Sequence, residues 1–127
     1  MKKLLFTLIV PFAILVSCKK KDPGQNTVSR KIRYEIAGNF TGKFDVIYSD
    51  NINGATRIAN VALPWSKEVT YESKVLSVGI GAQASTAGAP AQTATIKIYR
   101  DETVVKTTSA ASGSLGEMVL PTISYSF

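Results

Sequence analysis

The sequence predicts an all-β protein: an antiparallel two-sheet sandwich of seven to eight strands, immunoglobulin-like in architecture. Three observations carry this. From near Arg30 to the end, apolar and polar residues alternate with period two, the pattern of half-buried strands. Turn-forming residues recur roughly every eight to twelve positions, the spacing of sandwich strands. No window outside Leu4–Val16 shows a helical period. A small closed barrel is the alternative arrangement of the same strands. The Cys…Trp…Cys spacing of antibody domains is absent, so the likeness to immunoglobulins is one of architecture only.

Taken in order, Ile32, Tyr34 and Ile36 share one face of a first strand, which Gly38-Asn39 breaks. Phe44, Val46 and Tyr48 share a face of the second, with Asp45 and Ser49 opposite. Asp50–Gly54 is a turn cluster, in which Asn53-Gly54 best tolerates positive φ. A third strand covers residues 57–63 until Pro64, which has no N–H to give a ladder. A short fourth runs over 67–72. Leu76, Val78, Ile80 and Ala82 line a fifth, and Gly79 and Gly81 fall on its other face, leaving room for close packing. Residues 85–92 read as a loop. Ala94, Ile96 and Ile98 line a sixth strand, and Asp101-Glu102 is a two-residue turn into a seventh over 103–109. After a loop of 110–116, Met118, Leu120, Ile123, Tyr125 and Phe127 build the last strand, with a bulge or kink at Pro121.

The N-terminus has another character. Lys2-Lys3 precede an apolar run from Leu4 to Val16, which ends in Leu15-Val16-Ser17-Cys18. A charged start, a short apolar stretch and a small residue before the cut are the parts of a secretory signal. The last four residues resemble a bacterial lipobox, in which the cysteine is diacylated and becomes the new N-terminus. A spanning helix needs roughly 20 apolar residues, and this run is shorter and holds Pro11. The division expected is therefore a signal peptide over 1–17, a lipidated tether over 18–29 and a sandwich domain over 30–127. The lipid on Cys18 holds the protein to a membrane of the cell envelope. Lys19, in place of the aspartate that marks inner-membrane retention in enteric bacteria, favours the outer membrane.

Composition limits the chemistry. The chain has one cysteine and no histidine. No disulfide can form within the domain, and the commonest general base and metal ligand is missing. Net charge is +6, but Lys2, Lys3 and Lys19–Lys21 lie outside the domain; from Arg30 on, ten Lys/Arg face eight Asp/Glu. That balance predicts no nucleic-acid partner. The basic run beside the lipid suits anionic head groups, or serves only as a soluble spacer. No catalytic set emerges, no cofactor is expected, and the chain is read as a non-enzyme. Ser66-Lys67 and Ser73-Lys74, as strand neighbours, would point to opposite faces. Asp45, Asp50 and Asn53 are oxygen ligands of the kind calcium takes, but their spacing matches no known loop, so no metal is expected. Trp65 is expected in the core, its N–H on a backbone carbonyl. Tyr48, Tyr71 and Tyr99, with Tyr125, are the candidate binding surface, an aromatic strip for a sugar or a protein.

Leu63-Pro64-Trp65-Ser66-Lys67 carries a resemblance to the MmpS family, small mycobacterial membrane proteins that accompany RND-type lipid exporters. The family pattern also includes a strand ending in glycine, an Asp-Val-x-Tyr strand, a strand ending in Ala-Gln and an Ile-Tyr hairpin with an aspartate turn. Here these are Tyr34–Gly38, Asp45–Tyr48, Val78–Gln83 and Ile98–Asp101. The chain departs from the pattern in its lipobox and in Glu102, where glycine is usual. The resemblance implies a β-sandwich outside the membrane and a transport-accessory role with an envelope protein as partner. The alternative is a cell-surface module for glycans or host and matrix molecules, for which the tyrosines are the sequence support.

Overall fold

The computed structural model describes residues 29–127. Cys18, the signal segment and nearly all of the tether lie outside the described residues. Eight strands form: β1 (Lys31–Gly38), β2 (Phe44–Tyr48), β3 (Thr56–Val61), β4 (Trp65–Thr70), β5 (Ser77–Ala84), β6 (Thr93–Arg100), β7 (Thr103–Ala111) and β8 (Val119–Ser126). They make two antiparallel sheets of four, in the orders β4-β1-β6-β7 and β3-β2-β5-β8. Among the described residues there is no helix.

The alternation in the sequence decides what lies between the layers. Ile32, Tyr34 and Ile36 of β1 and Ala94, Ile96 and Ile98 of β6 point inward from the first sheet. Phe44, Val46 and Tyr48 of β2, Val78, Ile80 and Ala82 of β5 and Leu120 of β8 meet them from the second. Tyr34 and Tyr48 touch across the sheets, with ring centroids 5.5 Å apart. Every buried side-chain nitrogen or oxygen among the described residues has a hydrogen-bond partner.

Two strands begin and end earlier than their sequence suggests. The third spans Thr56–Val61 and the fourth Trp65–Thr70, so Trp65 opens a strand and Ser73-Lys74 lies in a turn rather than a strand. Leu76 is the clearer departure. It belongs to the apolar parity of β5, yet it stands just before the strand and is 76% exposed. Only residues facing the opposite sheet are covered, and Leu76 lies at the end of the sandwich.

Register shifts interrupt three of the ladders, and the sequence marks only the one at Pro121. Between Ile80↔Ile123 and Ala82↔Leu120 the strand β8 holds one extra residue, at Pro121-Thr122. β3 carries another between Ile58 and Val61. There Asn60 sits at φ 58°, in the left-handed region asparagine tolerates. Asp101 of the β6–β7 turn is also left-handed, at φ 53°.

Candidate functional site

The face of the second sheet turned away from the core carries a trough of about 520 Å³. It follows from strand parity. On β5, Val78, Ile80 and Ala82 take the core, so Gly79 and Gly81 face out. Gly81 pairs with Ile47 of β2, and Gly79 with Ser124 of β8. Two glycines in a central strand leave a furrow that longer side chains on its neighbours wall. Ile47 stands on one side, 51% exposed; Pro121 and Val119, the latter 65% exposed, stand on the other. A Cβ on Gly81 would come within 2.5 Å of the Thr122 hydroxyl oxygen, so Thr122 already leans over the strand.

One end of the trough is polar. Asp45 pairs with Arg57 of β3 and accepts the Asn60 N–H at 3.1 Å. The Arg57 hydrogen bond, with the Asn60 N–H behind it, holds the Asp45 carboxyl below the usual carboxylate range. Asp45 thereby satisfies the N–H that the β3 bulge frees. Nothing in this arrangement supplies a nucleophile with a base beside it. The trough is a shallow apolar surface with a fixed ion pair at its end.

The residues singled out in the sequence do not meet there. Tyr48 and Tyr71 are buried, so the aromatic strip does not form. Tyr48 shares the inward face of β2. Tyr71 donates its phenolic proton to the Ser49 carbonyl, and the Tyr34 hydroxyl lies 2.6 Å from the Tyr71 oxygen. Because the Tyr71 proton is committed, Tyr34 is the donor in that pair. Burial pushes the Tyr71 phenol up to about 12 and raises Tyr34 further. Tyr99 is on the outer face of the other sheet, under the Arg33 guanidinium at 3.8 Å, its hydroxyl 3.3 Å from Glu35. Tyr125 accepts from Arg100 at 2.9 Å.

Trp65 is half-buried at the start of β4 and packs on the core edge, 6.0 Å from the Tyr48 ring. Asp50 accepts from the Thr56 hydroxyl and from the N–H groups of Ile52 and Asn53, which lower its pKa in that order. Asp45 and Asp50 are thus used separately, each inside its own turn or bulge. Among the described residues no group of three or more acidic, cysteine or histidine side chains is placed to hold a metal.

Arg30 and Arg100 were not singled out by any motif, yet they organise the end of the sandwich where the described chain begins. Arg30 donates to the carbonyls of Val75 at 2.6 Å and Glu72 at 3.2 Å, and lies over the Phe127 ring. Arg100 reaches the Ser29 carbonyl and the Tyr125 hydroxyl. Their signal in the sequence is slight: charged residues at positions whose parity points inward.

Comparison with known families settles the affiliation. The family model described as Mycobacterium membrane protein matches residues 13–115, from the end of the apolar run through β7. The chain belongs to this family. The match takes in every segment on which the MmpS resemblance rests, and membership makes the chain a membrane-associated protein of mycobacterial type. No curated protein matches the chain at a significant level. Among the described residues no helix is long and apolar enough to cross a membrane, and the run Leu4–Val16 precedes them.

Proposed function

We propose that this protein is a non-catalytic accessory module of the cell envelope, lipid-anchored through Cys18, that docks on another envelope protein or a membrane transport complex. The observation that carries this reading is the family match over residues 13–115, which joins the end of the apolar run to the sandwich. The trough supports it as the docking surface. It offers exposed apolar side chains, Ile47 and Val119, around a glycine floor, with an ion pair to fix register. An apolar protein segment fits it better than a sugar, because Tyr48, the aromatic residue along it, is buried with its ring in the core and offers no stacking face. The Lys19 position supports an outer-membrane location. The glycan-module alternative loses its support with the burial of Tyr48 and Tyr71.

Photo-crosslinking in cells from position 47 tests this, followed by identification of the captured protein. Capture of an envelope or transporter subunit, abolished by Ile47→Asp with Val119→Asp, is the expected result. Both side chains are exposed, so the double variant should fold. If the purified domain binds glycans specifically and position 47 captures no envelope protein, the glycan module replaces this reading. Labelled palmitate tests the anchor separately: it should enter the parent and not Cys18→Ala.

A further inference from the structure

Two large apolar side chains stand almost fully in solvent at one end of the sandwich: Ile52, 88% exposed, and Leu76, 76% exposed. They are on neighbouring loops that are tied together. The Asn51 side chain donates to the Thr70 carbonyl at 2.9 Å and accepts the Glu72 N–H at 3.1 Å. Asp50 further fixes the Ile52 loop through the Ile52 and Asn53 N–H groups. These loops hold the two side chains out on a braced framework. Scattered exposed apolar residues are ordinary; here it is their place that matters.

The same end carries Ser29, where the described chain begins. Arg30 donates to Val75, next to Leu76, and the Ser29 hydroxyl donates to Asp101 at 2.6 Å. The apolar run Leu4–Val16 and Cys18 precede this point, with ten residues, 19–28, between Cys18 and Ser29. However they are arranged, ten residues span at most about 36 Å. An eight-residue strand such as β1 is itself about 26 Å long. To turn the other end of the sandwich to the bilayer, the connection would have to run back along most of the domain. The short way places Ile52 and Leu76 nearest the lipid.

We infer that this end of the domain rests on the membrane, with Ile52 and Leu76 entering the interfacial layer of the lipid. The inference rests on the reading that the N-terminal segment is the membrane anchor, whether through lipid on Cys18 or through the apolar run itself. Charges near this end are mixed, Lys31 and Lys74 paired with Glu68 and Glu72. The contact is therefore apolar in kind and does not need an anionic lipid. It fixes the orientation of the sandwich, and it leaves the trough on the outer face of the second sheet open to a partner beside the domain.

The test uses the full chain, produced in a lipidating bacterial host and reconstituted in phosphatidylcholine vesicles. An environment-sensitive fluorophore is attached through Ile52→Cys, Leu76→Cys or Leu115→Cys in turn. Leu115 is 83% exposed in the β7–β8 loop. That loop lies at the opposite end of the sandwich, by its bonds to Gly88. The expected result is blue-shifted emission, quenched by brominated acyl chains, at 52 and 76, with aqueous emission at 115. Aqueous emission at all three positions in vesicle-bound protein overturns the inference, as does equal quenching at all three. The anchor reading is checked on the parent, whose Cys18 should take no label and which should float with the vesicles. A parent that stays in solution sinks the anchor reading, and the inference with it; a parent that floats with dark, aqueous loops sinks the inference alone.

Discussion

Tyr71 has one phenolic proton and directs it at the Ser49 carbonyl, so its oxygen can only accept from Tyr34. The two tyrosines are therefore unequal. Tyr34→Phe removes a donor and leaves the Tyr71–Ser49 bond intact, at about 0.5–1.5 kcal/mol. Tyr71→Phe strands a buried Tyr34 hydroxyl and the Ser49 carbonyl, and should cost about 1–3 kcal/mol. Urea unfolding of both variants checks the order, and a reversal would mean the proton runs the other way. Trp65 makes a second residue-scale prediction. Half-buried on the core edge, its change to Ala should fall below the roughly 3–5 kcal/mol of a fully buried large aromatic. Because Trp65 is the sole tryptophan, its native emission reports directly on that partial exposure.

Strand faces were legible in the sequence because a period of two allows only two assignments per strand, and apolar side chains choose one. β1, β2, β5 and β6 bury the residues their alternation names, except Leu76, which falls just outside β5. Tyr48 was legible by the same rule, since it shares parity with Phe44 and Val46; reading it as surface set side-chain chemistry above parity. Tyr71 lies beyond the end of β4, where parity no longer applies. Of the trough, the outward glycines of β5 could be read, but not its walls, which need the neighbours of β5 to be known. The braced Ile52 and Leu76 loops were illegible, because they meet only through the pairing of strands far apart in sequence. Element ends also separate two glycines that look alike in sequence. At Gly38, φ is 150° and a Cβ would meet the Thr93 carbonyl oxygen at 2.2 Å; at Gly54, φ is 85° and nothing lies within 4 Å. Gly38→Ala should cost at least about 2 kcal/mol, from backbone strain and overpacking together. Gly54→Ala should cost about 1 kcal/mol, from backbone conformation alone. Thermal denaturation of the two variants decides whether the contact or the φ dominates.

For the whole domain, pH dependence follows from groups held away from their ordinary values. Asp45 and Asp50 are depressed by the hydrogen bonds they accept. Their contribution is present above the ordinary aspartate value of about 3.9 and is lost as pH falls through the native values. Tyr71 is raised by burial to about 12. Its contribution is full below about pH 10, where the unfolded phenol titrates, and is lost as pH rises toward 12. With no histidine in the chain, urea midpoints should be flat from about pH 5 to pH 9 and fall on both sides. A step near pH 6.5 would contradict this account.

The position of β1 has a mechanical consequence. Whatever tethers the protein pulls at Ser29, and so on a strand enclosed on both sides: by β4, from Lys31↔Thr70 to Ile36↔Trp65, and by β6, from Ile32↔Arg100 to Gly38↔Ala94. A load along that strand shears both ladders at once, where a load on edge strand β7 would open one ladder pair by pair. In force spectroscopy the domain should therefore yield at higher force when held by its N-terminus than when held at Ala111, the far end of β7. An envelope module drawn between a membrane and a docked partner would be gripped at an interior strand and not at an edge.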